Sequence, residues 1–544
     1  MSQADQSAAG QAVAAWPAQP FDFDSRHTLF SALVEAMRRH GRYTPNRVED
    51  MRPGQYSYGD LLKISLALGR LACKLTAPGE HVGVFMPNMV STLGLIFGLT
   101  AFRRVPCMLN YTAGPEVIQN ACETARIRTV LTSREFLAKA NLAETAHALK
   151  GVRLLYLEDL RPRFKLVDKL WLLGFALWWP RLAVAKGDPE SPAVVLFTSG
   201  TEGRPKGVVL SHRAILANIA QVRQAFPFTP QDRFLNALPI FHSFGLTAGA
   251  LLPLMAGCRL LLYTNPLHYK TIAELIKRDQ STVLFGTSAF LNQYARCAAP
   301  EDFKSLHYVI AGAEKLAEAV RTLWREKFGI ELFEGYGATE MAPVLSVNLP
   351  HASRPGSVGR FLPGVEARLL PVPGIASGGD LHVRGPNGMS GYYRYEAPGV
   401  LEPPGSAVGA GWHDTGDVVE IDADGYITIV GRLKRFAKVA GEMVCLEMTE
   451  AIARAASGEA LHAALNVPDV SRGEAIILFT TDSELTREQL AAAAHGLGYP
   501  ELAVPRQIRV VDSLPMLGSG KVDYLRLRHA NSPNQAGLLA GRPE

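Results

Sequence analysis

Short apolar runs alternate with stretches of helical spacing from residue 29 to residue 312, and this alternation constrains the fold more than any other feature. His81–Met86, Arg128–Thr132, Val152–Leu157, Val194–Thr198, Leu235–Pro239, Thr282–Gly286 and His307–Gly312 each read as a strand. Leu29–Leu75 reads as two helices with a turn at Tyr56-Ser57-Tyr58, and Val90–Arg103 and Ser211–Ala225 carry the helical period. Strands joined by crossover helices predict a parallel sheet. The expected class is therefore α/β, with a large N-terminal domain of parallel-sheet layers at 21–431. From Gly356 onward, Gly and Pro become frequent, and short strands at Gly379–Arg384 and Tyr426–Val430 predict a β-rich subdomain over 356–431. Strand patterns at Ala463–Val467, Glu474–Thr480 and Gln507–Val511 predict a small, mobile α+β C-terminal domain at 432–544, with its boundary at Gly431–Lys434. A chain of 544 residues exceeds one ordinary core, so two or three domains are expected. Residues 1–20, rich in Ala, Gln and Ser, lack the basic start and apolar core of a secretory leader and read as a disordered tail.

The six cysteines are scattered and none sits in a Cys-x-x-Cys or Cys/His cluster. That argues against a disulfide framework or a zinc site and fits a reducing cytoplasm. A net charge of +5 on a chain this long is a mild basic bias. It suits an acidic partner or an anionic membrane surface, though on charge alone it is an ordinary surface, and no nucleic-acid partner is expected. No run has the length of a membrane-spanning helix. Leu170–Trp179 comes nearest, with three of the six tryptophans, Arg161, Arg163, Lys165 and Lys169 before it and Arg181 after it. Basic residues beside Trp and Leu are the composition of an interfacial helix, which would give peripheral contact with the inner face of the membrane. A buried helix or the lining of an apolar pocket is the alternative.

One strand runs straight into chemistry. Val194–Thr198 is followed by Ser199-Gly200-Thr201-Glu202-Gly203-Arg204-Pro205-Lys206-Gly207. Glycines let backbone N–H groups approach an anion, hydroxyls add donors, and Arg204 and Lys206 add charge. Such a loop suits a polyphosphate. It lacks the Gly-Lys-Ser/Thr spacing of the Walker loop, and a Gly-rich surface turn is the bland alternative.

Further segments carry candidate groups. Gly335-Tyr336-Gly337-Ala338-Thr339-Glu340 offers a ring to stack on a base, a hydroxyl for a phosphate and a carboxylate suited to Mg2+. Trp412-His413-Asp414-Thr415-Gly416-Asp417 presents carboxylates able to accept from vicinal ribose hydroxyls, with Arg432 after a short strand. Leu517-Gly518-Ser519-Gly520-Lys521 puts a lysine on a glycine loop, and Phe241-His242-Ser243 follows Pro239 in an apolar setting. Singly, each has an ordinary reading: Tyr336 as core, Asp414 and Asp417 as turn residues, His242 as structural, Lys521 as a loop lysine.

In this order the segments resemble the adenylate-forming superfamily of acyl-CoA synthetases, luciferases and peptide-synthetase adenylation domains. The matches are Thr198–Gly207, Tyr336–Glu340, His413–Asp417, Gly431–Gly441 and Gly518–Lys521. More closely, Met108–Gly114, Leu154–Arg161 and Arg432–Met443 resemble the synthetase half of the bifunctional bacterial acylglycerophosphoethanolamine acyltransferase/acyl-acyl-carrier-protein synthetases. The chain has no His-x4-Asp pair for the acyltransferase half and is expected to be a stand-alone synthetase.

The resemblance implies attack of a carboxylate on the α-phosphate of ATP, giving acyl-AMP and pyrophosphate, and then displacement of AMP by a thiol. It implies that Thr198, Ser199, Gly200, Thr201 and Lys206 hold the departing phosphates, that Thr339 meets the α-phosphate and that Glu340 binds Mg2+. It implies that Tyr336 stacks on adenine opposite Gly312-Ala313-Glu314, with Gly337 also binding the nucleotide, and that Asp417 and Arg432 take the ribose. Lys521 would bridge the two reacting anions, His242 would sit at the acyl pocket, and Lys434 would be the hinge of the small domain. Two positions depart from the family pattern: Arg435 stands where an acidic residue is usual, and Cys445 where a proline is usual. The basic run Arg432, Lys434, Arg435, Lys438 suits acidic acyl carrier protein or the phosphates of coenzyme A. The leading expectation is a cytoplasmic fatty acid ligase that uses ATP and acyl carrier protein. A long-chain acyl-CoA synthetase is the first alternative, and a nucleotide-binding sensor without catalysis the second.

Overall fold

The computed structural model describes residues 14–45, 47–198, 204–375, 377–439, 442–458, 460–469, 473–516 and 522–531. Their contacts divide the chain into two compact units. Ala18–Val365 with Arg384–His413 forms the larger; the described residues of Met1–Pro17, Glu366–Val383 and Asp414–Glu544 form the smaller.

The larger unit contains two sheets. In the first, Pro192–Thr198, Val105–Met108, His81–Val84, Thr129–Thr132 and Arg153–Tyr156 lie side by side and parallel. Three antiparallel strands, Lys206–Ser211, Gly391–Arg394 and Ala397–Glu402, extend it at the Pro192–Thr198 edge. In the second, Leu332–Gly337, Tyr308–Ala311, Val283–Gly286, Arg233–Asn236, Arg259–Leu262 and Val48–Glu49 are parallel neighbours. The seven strands expected between residues 81 and 312 all form, within a few residues of their predicted ends. Strands buried on both faces must be apolar throughout, which is why these runs do not alternate. Every residue of Val105–Met108 and Thr129–Thr132 is buried.

Helix starts follow their caps. Ser57 accepts from the N–H of Asp60 and Asp60 returns the bond, which opens the helix Tyr58–Cys73 where the sequence predicts a turn. Ser211 caps His212–Ala225 by accepting the Ala214 N–H. Helix Val90–Ala101 is apolar all round, and all of it except Ser91 is buried. All six cysteines are free, and Cys107 and Cys122 lie in the core beneath the first sheet.

In the smaller unit, Ala14–Trp16, Glu366–Leu370, Gly379–Arg384, His413–Ile421 and Ile427–Arg432 form one sheet. Ala14–Trp16 pairs antiparallel with Glu366–Leu370, so the tail expectation does not hold for these three residues, whose backbone groups are taken up by a sheet edge. Residues 1–13 lie outside the described residues. A second sheet runs Glu442–Cys445, Phe436–Val439, Gly473–Thr480, His462–Asp469, with Gln507–Val510 beside Gly473–Thr480. Helices Leu446–Ala456 and Arg487–Gly496 pack in its core with Ala437, Ile476 and Leu478. Among the described residues no helix is long and apolar enough to cross a membrane.

Candidate active site

Pro192–Thr198 and Lys206–Ser211 form a hairpin in which Thr198 lies directly opposite Lys206. The loop candidates Ser199, Gly200 and Thr201 lie outside the described residues. The next strand, Gly391–Arg394, places successive side chains on opposite faces. Tyr393 points into the core against His81, and burial pushes its hydroxyl up to about 12. Tyr392 faces the other way, and its ring lies 5.2 Å from the Lys206 ammonium. The Tyr392 hydroxyl donates to Glu340 Oε1 at 2.7 Å.

Glu340 itself sits on a tight turn. Strand Leu332–Gly337 ends at a point where a Cβ on Gly337 would lie 2.2 Å from the Pro343 carbonyl oxygen, so only glycine fits. Thr339–Met341 then makes one 3₁₀ turn. The turn leaves the Thr339 hydroxyl 3.2 Å from that of Ser243, and Glu340 Oε2 4.0 Å from His413 Nε2. A cation, a phenol, a carboxylate, two hydroxyls and an imidazole therefore converge from five separate stretches of chain. Tyr336 is buried at the end of its strand.

Sequence reasoning missed Tyr392 as a site residue and named Ser243 and His413 without a role. The signal for Tyr392 is its alternation with the core residue Tyr393. It becomes readable only once the antiparallel pairing with Lys206–Ser211 is known.

Phe241-His242 forms one side of an aromatic group. The His242 ring is 4.6 Å from Phe241, and Phe241 is 4.8 Å from Tyr111. Tyr111 also meets Phe85 and Phe136, and burial raises its hydroxyl well above the usual phenol range. Gly312 lies against this region, since a Cβ there would stand 3.1 Å from the Phe244 ring. Ala313 takes the left-handed conformation at φ 70. Glu314 Oε1 accepts the Ala289 N–H at 2.7 Å, in the first turn of helix Ser288–Cys297, so this carboxylate also serves as a helix cap.

In the smaller unit, Asp417 and Arg432 are cross-strand partners, with Arg432 Nε donating to Asp417 Oδ1 at 3.1 Å. Asp417 is buried and Arg432 exposed. Asp414, on strand His413–Ile421, accepts the Gly416 N–H. Lys434 is exposed on the turn Leu433–Arg435. Lys521 and Gly441 lie outside the described residues. Cys445 is buried beneath Gly431, where a Cβ would lie 2.4 Å from its sulfur.

Arg435 corrects the sequence reading. It is not part of a basic docking surface: its guanidinium donates to buried Glu450 Oε1 at 2.7 Å and lies 3.7 Å from the Tyr524 ring centroid. Tyr524 and the Ala464 N–H donate to the same carboxylate oxygen. Charge runs are usually solvated, but this member has a buried counter-ion. Arg435→Met should lower the unfolding free energy of the smaller unit by about 3–5 kcal/mol, because Glu450 would keep its charge without its ion-pair partner. Arg435→Met/Glu450→Leu should recover most of that loss in urea unfolding. Equal loss in the single and double variants would show that packing, and not the charge pair, sets the cost.

The AMP-binding enzyme model matches residues 37–393. The chain belongs to the AMP-binding enzyme family. It is an enzyme of the AMP-forming acid–thiol ligase class. It is 29% identical over 488 residues to a long-chain-fatty-acid–CoA ligase of Salmonella typhimurium, covering 83% of this chain and 85% of that protein. It is 29% identical over 497 residues to a sulfoacetate–CoA ligase of Cupriavidus necator, covering 87% and 92%. Among solved structures, ATP-bound MatB from Rhodopseudomonas palustris has the same fold, with a TM-score of 0.77 at 24% identity over 94% of this chain and 100% of that one.

Proposed function

We propose that this protein is an ATP-dependent fatty acid ligase that makes acyl-AMP and then an acyl thioester, with coenzyme A as the favoured thiol acceptor. One observation carries the reading: Lys206, Tyr392, Glu340, Thr339 and Ser243 converge beside the hairpin Pro192–Ser211. In the first step a carboxylate oxygen bonds to the α-phosphorus of ATP, the bond to the β-phosphate breaks and pyrophosphate leaves. In the second a thiolate sulfur bonds to the acyl carbon, the bond to AMP breaks and AMP leaves. Both reactants of the first step are anions, so charge neutralisation should dominate its barrier.

Lys206, with Thr198 and the loop Ser199–Thr201, is assigned to the departing phosphates, and Thr339 to the α-phosphate. Tyr336, Gly337 and Gly312–Glu314 are assigned to adenine, and Asp417 and Arg432 to ribose. Glu340 supplies the hard oxygen donor that Mg2+ prefers, and its partly buried carboxylate, oriented by Tyr392, fits that role. Lys434 is assigned as the hinge of a mobile domain at 432–544, whose rotation would exchange Lys521 for the thiol path. The relatives named above act on acids as different as long-chain fatty acids and sulfoacetate. The aromatic group of Phe241, His242 and Tyr111 favours an apolar acyl chain here.

Acyl carrier protein is the second reading, favoured by the exposed cations Arg432, Lys434 and Lys438 and by the resemblance of Arg432–Met443. With Arg435 turned inward, that surface has one charge fewer than its sequence implies. Incubation with ATP, Mg2+, palmitate and either coenzyme A or holo-carrier protein decides between them. Thioester and AMP should accumulate faster with coenzyme A. Turnover with carrier protein alone would reverse the order, and no AMP with any fatty acid would remove the ligase reading.

A further inference from the structure

Helix Leu166–Trp171 of the larger unit continues directly into a π-helical turn, Leu172–Ala176. Its inward stripe is Asp168, Leu172 and Ala176, spaced by four residues and buried. Asp168 accepts from Arg70 Nε at 3.2 Å, on helix Tyr58–Cys73, and from Lys74 Nζ at 2.5 Å, at that helix's C-terminal cap. Trp171 lies 4.7 Å from the Arg70 guanidinium and 6.2 Å from Phe102. These contacts fix the rotation of the segment about its axis.

The face left outward is apolar, the reverse of an ordinary surface helix. Leu166 is 69% exposed, Leu170 64%, Leu173 55%, Trp178 63%, Trp179 53% and Leu182 73%. Val167 and Phe175 complete the patch. Neither burial nor a pocket wall accounts for the segment, which leaves the interfacial alternative. A contiguous apolar patch of this kind on a folded unit marks a contact surface.

The rim identifies what would cover it. Arg161, Arg163, Lys165, Lys169, Arg181 and Lys186 flank the patch in sequence, Arg181 paired with Glu35 at 3.0 Å, and the one acidic residue between 161 and 187 is buried Asp168. Arg42 extends the cationic rim, with its guanidinium 5.6 Å from the Trp178 ring and 5.4 Å from Tyr43. The Trp178 indole N–H donates to the Leu173 carbonyl at 2.9 Å, so the ring can enter an apolar phase without an unsatisfied donor. A second copy seated on this face would set cations against cations.

We propose that the face Leu166–Leu182 is an interfacial docking surface for an anionic phospholipid bilayer, with the leucines and tryptophans at the acyl boundary and the cations at the headgroups. Attachment there would hold the enzyme where free fatty acids partition. The docking stands on the geometry of the patch and does not need the ligase reading, and its deciding measurement, flotation, uses no substrate.

The test is flotation of the full-length protein with vesicles of phosphatidylglycerol and phosphatidylethanolamine, against vesicles of phosphatidylcholine. Wild-type protein should float with the anionic vesicles about tenfold or more better than with the neutral ones at low salt. Leu170→Glu/Trp178→Glu should reduce flotation by about tenfold or more while leaving turnover of detergent-solubilised fatty acid unchanged. Lys165→Ala and Lys169→Ala should each weaken it by about fivefold. Wild-type protein remaining in the soluble fraction, or the Glu variant floating like wild type, would overturn the proposal. So would sedimentation velocity showing a dimer that Leu170→Glu dissociates without vesicle binding in the parent.

Discussion

Glu340→Gln should slow acyl-AMP formation by about 10²–10³-fold, comparable to removing one preorganised charge-stabilising group from a polar transition state. The change removes one charge and almost no volume. The amide oxygen of Gln can still accept from the Tyr392 hydroxyl, which now reaches Glu340 Oε1 at 2.7 Å, so the turn Thr339–Met341 should keep its place. What is lost is the anionic oxygen available to a divalent cation. Bound Mg2+ would spread phosphate charge, and Glu340 is the carboxylate proposed to hold it. The expected signature is therefore a raised Mg2+ requirement as well as a lower rate. Pyrophosphate exchange measured across a Mg2+ titration reads both, and calorimetry of ATP binding with and without Mg2+ provides a readout independent of turnover. Tyr392→Phe should cost only about tenfold, because it removes a hydrogen bond to the carboxylate and leaves the charge. An unchanged Mg2+ requirement in Glu340→Gln would make this carboxylate a structural partner of Tyr392 and His413 and nothing more.

Much of the larger unit could be read from residue pattern alone, and the reason is local. Ser57 and Ser211 are caps whose partners lie three residues on, and the buried strands are continuous apolar runs. Family membership was equally legible, because Thr198–Gly207 and Tyr336–Glu340 are contiguous stretches that carry their chemistry in order. What escaped was set by pairing between distant segments. Tyr392 joins the site because Gly391–Arg394 pairs with Lys206–Ser211 in one register, and a slip of one residue would have turned Tyr393 there instead. Arg435 looked solvated because Glu450 and Tyr524 approach it only in the folded unit. Periodicity could not say which face of Leu170–Trp179 is inward; Arg70 and Lys74, from another helix, decide it through Asp168. Ala14–Trp16 reads as tail because a three-residue strand has no internal pattern, and its order comes from Glu366–Leu370.

Lys521→Ala should have a kinetic effect as large as that of Glu340→Gln, and it should be confined to one half-reaction. Lys521 lies outside the described residues, but the bases of its loop do not: Met516 and Val522 form an antiparallel bridge. Leu517–Lys521, with glycines at 518 and 520, is the stretch of sequence between them. A lysine on such a loop is a compact point charge on a long stem, suited to lie between two anions during attack of carboxylate on phosphate. Lys206, beside Tyr392 in the larger unit, is assigned to the leaving pyrophosphate and would not substitute for it. Removing the Lys521 charge should slow adenylation by about 10²–10³-fold, because the repulsion it offsets is greatest in the transition state. The thiol step has no such need, since acyl-AMP presents a single phosphate and its acyl carbon is already activated. Thioester formation from supplied acyl-AMP should stay within about threefold of wild type, as expected when the interaction lost belongs to the other transition state. Rapid-quench assays of the two half-reactions separate these outcomes. Equal losses in both would assign Lys521 to nucleotide binding in general, and a near wild-type rate of acyl-AMP formation would remove it from the chemistry.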